Sequence, residues 1–458
     1  MKAVVIAGVA SGVGKTTVAC GLMGALVARG LAVQGFKVGP DYIDPSYHGQ
    51  VTGRPARNLD SWLLPPATLR ALFARAAGRA DVAVVEGVMG LYDGRHGGGD
   101  EGSTAAVAKL LGLPVVLVVD VSRQGRSAAA TVLGFQRLDP VVRLVGVILN
   151  RVGSERHRET VAEAVEAATG LPVLGAVDRE AGLAAPERYL GLVPCFENPS
   201  GADYFARAAA AIARGVDLDR LLARCEATAT GVNGDDSPLP APATATRARL
   251  AVARDRAFGF YYADALDLLA AEGLELAGFS PLADSALPPD ADGVYLGGGF
   301  PELFAAELAA NRPLLRQLRA LARRGLPIYA ECGGLMYLAR SLVDAAGARH
   351  TLAGLVPAEV SLAGARLTLG YREATAAADS LLLRRGERVR GHEFHYSRLE
   401  PRTGQRAAYT IAGRQPPAEG HASGALLASY VHLHLAGAPH LAKRFATACA
   451  AWRARRAA

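Results

Sequence analysis

Three groups of residues in this 458-residue chain have the types and spacing to do chemistry. The first is Ala7-Gly8-Val9-Ala10-Ser11-Gly12-Val13-Gly14-Lys15-Thr16-Thr17, a Gly-rich turn between an apolar run and a helical stretch. In that setting backbone N–H groups and a helix N-terminus face an anion, a lysine reaches the β/γ-phosphates and a hydroxyl binds Mg2+. Gly12, Gly14, Lys15, Thr16 and Thr17 are therefore the expected nucleotide-phosphate contacts, although the strict phosphate-loop pattern asks for glycine where this chain has Val9. The second group is a pair of acids, Glu86 at the end of one apolar run and Asp41 just after another. Ligands of open α/β sheets bind at the carboxyl ends of strands, and Mg2+ needs only one or two carboxylates beside phosphate oxygens. Thr16, Glu86 and Asp41 are the expected metal ligands.

The third group centres on Cys332. The run Leu326-Pro327-Ile328-Tyr329-Ala330-Glu331 leads into Cys332, then Gly333-Gly334 and a helical stretch. A strand–turn–helix junction with small neighbours is a nucleophile elbow, and a helix N-terminus is expected to lower the thiol pKa. Upstream, the run 293–296 ends in Gly297-Gly298-Gly299, where Gly298 and Gly299 could supply backbone donors to an oxyanion. Downstream, Ser429-Tyr430-Val431-His432-Leu433-His434-Leu435 alternates like one strand, with both histidines on one face, and either could be the base for Cys332. The sequence His392-Glu393-Phe394-His395 is not a metalloprotease site: its histidines are three apart rather than four, and its surroundings alternate as a strand does.

The elements that must position these residues follow from periodicity. Apolar runs at 4–7, 31–37, 82–86, 115–120 and 144–150 read as buried strands, with helical stretches such as 18–29 and 69–77 between them. That alternation predicts a parallel sheet covered by helices. Residues 227–247, which include Asn233-Gly234-Asp235-Asp236-Ser237-Pro238, Pro240 and Pro242, break every period and read as a linker between 1–226 and 248–458. The alternation resumes at 250–254, 293–296 and 327–331, and becomes more β-like over 358–397. No repeat of 20–50 residues is visible. The fold class is α/β, in two domains.

Composition narrows the function classes. Half of the residues are hydrophobic and 20% are charged, which excludes a disordered chain. No apolar run is long enough for a membrane span, and the N-terminus reads as a first strand rather than a secretory leader. The five scattered cysteines (Cys20, Cys195, Cys225, Cys332, Cys449) suit neither a disulfide framework nor a zinc site, so a reducing, cytoplasmic setting is expected. The net charge of +7 is diffuse apart from Arg453, Arg455 and Arg456, and a nucleic-acid partner would call for a concentrated basic stripe.

With these motifs in place, the chain resembles the corrin a,c-diamide synthases over essentially its whole length. The resemblance rests on the phosphate loop, Lys37-Val38-Gly39-Pro40-Asp41-Tyr42-Ile43-Asp44-Pro45, Val85-Glu86-Gly87-Val88-Met89-Gly90-Leu91-Tyr92-Asp93-Gly94, Leu149-Asn150-Arg151-Val152-Gly153 and the Cys332 elbow. It implies a P-loop NTPase domain similar to dethiobiotin synthetase, followed by a class I glutamine amidotransferase domain of flavodoxin-like form. It also implies ATP and Mg2+ as cofactors, L-glutamine and a corrinoid polycarboxylic acid as substrates, no nucleic acid or membrane partner, and a homodimer. The implied reaction is amidation of the a- and c-acetates of hydrogenobyrinic or cobyrinic acid through an acyl phosphate. Residue by residue, Cys332 matches the glutaminase nucleophile, His432 its activating histidine and Asn150 an adenine contact. Asp41, Tyr42 and Asp93 match positions on the corrinoid side. Class I glutaminases usually carry Glu two residues after the histidine, where this chain has His434. Two kinds of rival reading stand beside it: a related cobyric acid or nickel-sirohydrochlorin amide synthase, and a P-loop switch ATPase with an inactive docking domain. Glutaminase activity would separate the last from the others.

Overall fold

A computed structural model of the protein describes residues 2–97, 99–179, 183, 187–188, 191–192, 201–226, 239–241, 243–364, 366–401, 406–415 and 417–457. Most of the expected linker, 227–238, and also Cys195 lie outside them. The chain divides into two compact units, Met1–Pro238 and Leu239–Ala458.

The first unit is built on a seven-stranded sheet. Its strands are β1 (Lys2–Gly8), β2 (Val33–Val38), β3 (Arg57–Leu59), β4 (Val82–Glu86), β5 (Val115–Asp120), β6 (Leu144–Val152) and β7 (Val173–Asp178), in the spatial order β3-β2-β4-β1-β5-β6-β7. All the pairings are parallel. Strands covered on both faces must be apolar throughout, and Val82–Glu86 is buried at every position. Two strands went unread in the sequence. Arg57–Leu59 is three residues long and polar at two of them, while Val173–Asp178 follows Leu171-Pro172 as a run half interrupted by Gly175. Helix α1 (Lys15–Ala28) packs Val18, Ala19, Leu22, Met23 and Leu26 into the core with Val4, Ile6, Val84 and Ile148. Helix α2 (Ile43–Thr52) follows β2, and its N-terminus is capped by Asp41, whose Oδ1 accepts from the Ile43 and Asp44 amides.

The second unit has a six-stranded sheet. Its strands, in spatial order, are Leu274–Phe279, Ala248–Ala253, Gly293–Leu296, Ile328–Glu331, Leu426–Ser429 and His421–Ser423. The first five are parallel and the last is antiparallel. Numbered along the chain, the parallel strands run 2-1-3-4-5, the flavodoxin-like doubly wound order. Two further sheets carry the β-like stretch read in the sequence. One comprises Arg349–Thr351, Ala339–Val343, Val356–Ser361 and Arg398–Glu400; the other comprises Ala418–Glu419, Tyr409–Ile411, Thr368–Ala376, Arg388–His395 and His432–Leu433. No helix among the described residues is long and apolar enough to cross a membrane.

Candidate active sites

In the first unit the chemistry gathers at the carboxyl ends of β1, β2 and β4. The chain leaves β1 at Gly8 and enters α1 at Lys15, with Gly12 and Gly14 in the left-handed region (φ 76° and 90°). No side chain caps α1 and its first turn has no acid, so its positive end is left for an anion. Val9 is not at positive φ, so the loop does not require glycine there. The close approach occurs one residue earlier: a methyl on Gly8 would lie 2.6 Å from Val13 Cγ2 and 2.9 Å from Lys15. Lys15 Nζ donates to Ala10 O (2.9 Å), and burial, with the neighbouring Lys37 charge, lowers its pKa to about 8. Asn150 Nδ2 donates to Val13 O (2.8 Å) and its Oδ1 accepts from the Arg151 amide (3.0 Å), so this side chain braces the phosphate loop from the end of β6. Thr17 Oγ1 bonds the Tyr204 hydroxyl.

Glu86 is completely buried at the end of β4 and is the hub of the site. Its Oε1 accepts from Thr16 Oγ1 (2.6 Å) and Lys37 Nζ (3.0 Å), and its Oε2 lies 2.6 Å from His48 Nε2. The register of β2 against β4 sets Lys37 directly beside Glu86. Lys37 Nζ also bonds Asp44 Oδ2 (2.6 Å) and Gly87 O (2.9 Å), so all three of its protons are directed. Burial works against the charge on Lys37, but Asp44 and Glu86 outweigh it and hold the amine protonated. Burial likewise opposes ionisation of Glu86, and Lys37 and His48 overcome it. Asp44 is the member pushed upward, by burial and by the Asp41 and Glu86 charges.

Asp41, expected as a metal ligand, uses Oδ1 to cap α2, while Asp93 Oδ2 accepts from the Gly90 amide (2.8 Å). Both act electrostatically on the lysines, Asp41 on Lys37 and Asp93 on Lys15. Tyr42 is the residue that precedes α2. Among the described residues no three His, Cys, Asp or Glu side chains form a metal cage. The pair Thr16 and Glu86 still fits Mg2+, which takes one or two carboxylates and draws its other ligands from phosphates and water.

In the second unit, Cys332 ends the strand Ile328–Glu331 and precedes the helix Gly333–Leu338, with φ 47° and ψ −101°. That is a strained conformation for a residue with a Cβ, the kind expected at a nucleophile elbow. Its Sγ lies 3.6 Å from Phe394 O. The glycine loop packs directly on the elbow: Gly334 N donates to Gly297 O (3.0 Å), and a methyl on Gly333 would be 3.1 Å from Gly299 N. His432 closes the other side, since a methyl on Gly298 would stand 2.5 Å from His432 Cε1 and 3.4 Å from Nε2.

The comparisons agree with both halves of this geometry. Residues 4–193 match the CobQ/CobB/MinD/ParA nucleotide binding domain, and residues 249–440 match the CobB/CobQ-like glutamine amidotransferase domain. Hydrogenobyrinate a,c-diamide synthase of Streptomyces coelicolor is 46% identical to this chain, with 97% of each covered. Cobyrinate a,c-diamide synthase of Salmonella typhimurium is also 46% identical, over 97% of this chain and 98% of its own. The chain belongs to the cobyrinate/hydrogenobyrinate a,c-diamide synthase family. The fold expectation is met in both parts: a P-loop NTPase domain and a glutamine amidotransferase domain.

Two expectations about the thiol site need correction. Residues 429–435 are not one strand. Leu426–Ser429 pairs with the nucleophile strand, the chain then changes sheets, and His432–Leu433 pairs antiparallel with Arg388–His395. The ring of His432 stacks on His392 (4.8 Å), whereas that of His434 stacks on Tyr262 (4.3 Å). Of the two, His432 is the one whose ring edge faces the glycine loop. Secondly, the thiol is not acidified by the helix. Burial pushes the Cys332 pKa well up, the charge of Glu302 adds to this, and the Gly333 amide lowers it by less. Burial also depresses the His432 pKa to about 3, so the imidazole is neutral in the resting site. Sequence reasoning missed Lys37, His48 and Asp44 as site residues, although Lys37 and Asp44 lay inside a quoted motif. It also missed Glu331, the acid that immediately precedes the nucleophile.

Proposed function

We propose that the protein is an ATP-dependent, glutamine-hydrolysing ligase that amidates the a- and c-acetate carboxylates of hydrogenobyrinic or cobyrinic acid in cobalamin biosynthesis. The observation that carries this reading is that one chain holds both a phosphate loop wired to buried acids and a strained thiol elbow with a neutral histidine. We assign the phosphate-loop domain to 1–226 and the glutaminase domain to 248–458, joined by 227–247. ATP and glutamine as co-substrates, with no disulfide among the described residues, support a cytoplasmic setting, and a homodimer is the expected assembly.

A carboxylate does not react usefully with ammonia, so it is first phosphorylated by ATP, giving an acyl phosphate and ADP. Lys15 and the amides of the loop bear on the ATP phosphates. Thr16 and Glu86 would hold Mg2+, which when bound neutralises charge on the transferred phosphoryl group. Asn150 keeps the loop in register, and the second lone pair of its Oδ1 can accept from the adenine amino group. Asp41, Tyr42 and Asp93 line the corrinoid side.

In the glutaminase, Cys332 Sγ attacks the side-chain amide carbon of glutamine and its proton passes to His432. The amide oxygen becomes an oxyanion held by the Gly299 amide, since the Gly298 amide already donates to Phe260 O (3.3 Å). Collapse breaks the C–N bond, the nitrogen takes the proton from His432, and ammonia leaves a thioester that water hydrolyses to glutamate. The ammonia attacks the acyl phosphate, phosphate departs and the amide remains. Repetition on the second acetate gives the a,c-diamide.

The deciding experiment supplies ATP, Mg2+, glutamine and either corrinoid, and follows ADP, glutamate and amide by mass. Diamide formation supports the reading, and the preferred macrocycle settles whether cobalt is present in the substrate. No glutamate and no ADP with either corrinoid would overturn it. A second prediction concerns Gly298→Ala, whose methyl displaces His432: glutaminase activity falls on the order of 100-fold, while ammonium-supported amidation persists.

A further inference from the structure

A histidine that accepts the thiol proton becomes an imidazolium, and its second ring nitrogen needs a partner that orients the ring and balances the charge. The position two residues further on cannot provide a carboxylate, because it is His434, whose ring lies against Tyr262. Three buried carboxylates lie nearby. Glu393, whose charge favours a protonated His432 from a distance, has its oxygens held by Arg372 (2.5 Å) and Arg414 (2.8 Å), and Glu419 is held by Ser429 Oγ (2.6 Å) and the Tyr430 amide (2.8 Å). The third is Glu331. Its Oε2 stands 3.9 Å from His432 Nδ1.

We propose that Glu331, the residue immediately before the nucleophile, is the positioning carboxylate of the glutaminase and acts on His432 from within the nucleophile strand; this rests on the glutaminase reading above. The geometry is built for an anion. Glu331 is 1% exposed and receives the Tyr295 hydroxyl (2.9 Å), the Tyr329 hydroxyl and the Leu433 amide (2.8 Å). Three donors, with no cation acting on it among the described residues, give a carboxylate that is fixed in place but not charge-paired. The Leu433 bond also ties Glu331 to the strand that carries His432, so one side chain sets both the height of the base and the charge behind it. The Glu331 charge also pushes the Cys332 pKa upward, so it does not favour a free thiolate. Its effect is to stabilise the imidazolium once the proton has moved from Sγ to His432, until the leaving amide nitrogen takes that proton and departs as ammonia.

The groups around Glu331 are Tyr295, Tyr261, Tyr329, Tyr409, Cys332 and His432. Burial raises the Glu331 pKa to about 7, against the Leu433, Tyr329 and Tyr295 donors. Below that pH it is a neutral acid, and above it an anion able to support His432. His432 itself stays neutral throughout this range. Glutaminase turnover therefore rises with pH around 7.

The test measures glutamate release against pH for wild type, Glu331→Gln and Tyr295→Phe, each with ATP, Mg2+ and corrinoid. Glu331→Gln is expected to lower kcat on the order of 100-fold, to leave KM for glutamine unchanged and to lose the rise near pH 7. Tyr295→Phe removes a donor to the charged form and moves the rise to higher pH. A Glu331→Gln enzyme with wild-type kcat, or one that keeps the rise, overturns the proposal. If that variant does not fold, an unmoved profile in Tyr295→Phe overturns it instead. Wild type without any glutaminase activity would sink the underlying reading rather than this one.

Discussion

Cys332→Ala loses glutamine-driven amidation by roughly 10^4-fold or more, while amidation from ammonium chloride continues. The reason for the split is chemical. Without Sγ no thioester forms, and neither His432 nor the glycine loop can replace a nucleophile, but activation of the corrinoid carboxylate needs only the ATP site. The substitution adds no backbone strain, because alanine at φ 47° meets the same Cβ penalty as cysteine. Cys332 is 4% exposed and its sulfur touches Phe394 O, so the variant leaves a small gap rather than a collapsed elbow. Parallel assays of glutamate release and of amide mass check the result. Glutamine-driven turnover that survives the substitution would remove Cys332 from its role.

Glu86→Gln is expected to have the opposite selectivity. Amidation falls on the order of 1,000-fold whether nitrogen comes from glutamine or from ammonium, because the acyl phosphate is no longer made. The first unit also loses stability. Glu86 is the shared acceptor for Thr16, Lys37 and His48, and a neutral amide leaves Lys37 with Asp44 as its main counter-charge. Breaking a buried ionic network in this way costs about 3 kcal/mol. The upward push on the Asp44 pKa is partly relieved in compensation, since the Glu86 charge contributes to it. Thermal unfolding with and without ATP, beside the ammonium-driven assay, separates lost stability from lost chemistry. Wild-type ammonium-driven turnover in this variant would exclude Glu86 from the ATP site.

What the sequence by itself determined is what lies within about a dozen consecutive residues. The phosphate loop and the Cys332 elbow are each a strand, a glycine turn and a helix start, so residue order alone carries their geometry. The alternation of apolar runs and helical stretches likewise carried the parallel sheets, because a strand buried on both faces must be apolar along its length. Short or polar strands such as Arg57–Leu59 left no such trace.

Tertiary structure decided everything that depends on register between distant segments. Lys37 meets Glu86 because β2 pairs with β4 in one register out of several that would bury the same apolar residues. His48 reaches the same carboxylate from a helix. That His432 borders Gly298 while His434 stacks on Tyr262 follows from the change of sheet after Ser429, which the alternation of residues 429–435 concealed. Glu331 read as an ordinary strand residue until Tyr295, Tyr329 and the Leu433 amide were seen to converge on it. The acidity of Cys332 also reversed: a helix N-terminus can be read from sequence, but desolvation depends on how completely the surrounding chain closes over the thiol, and here desolvation is the larger effect.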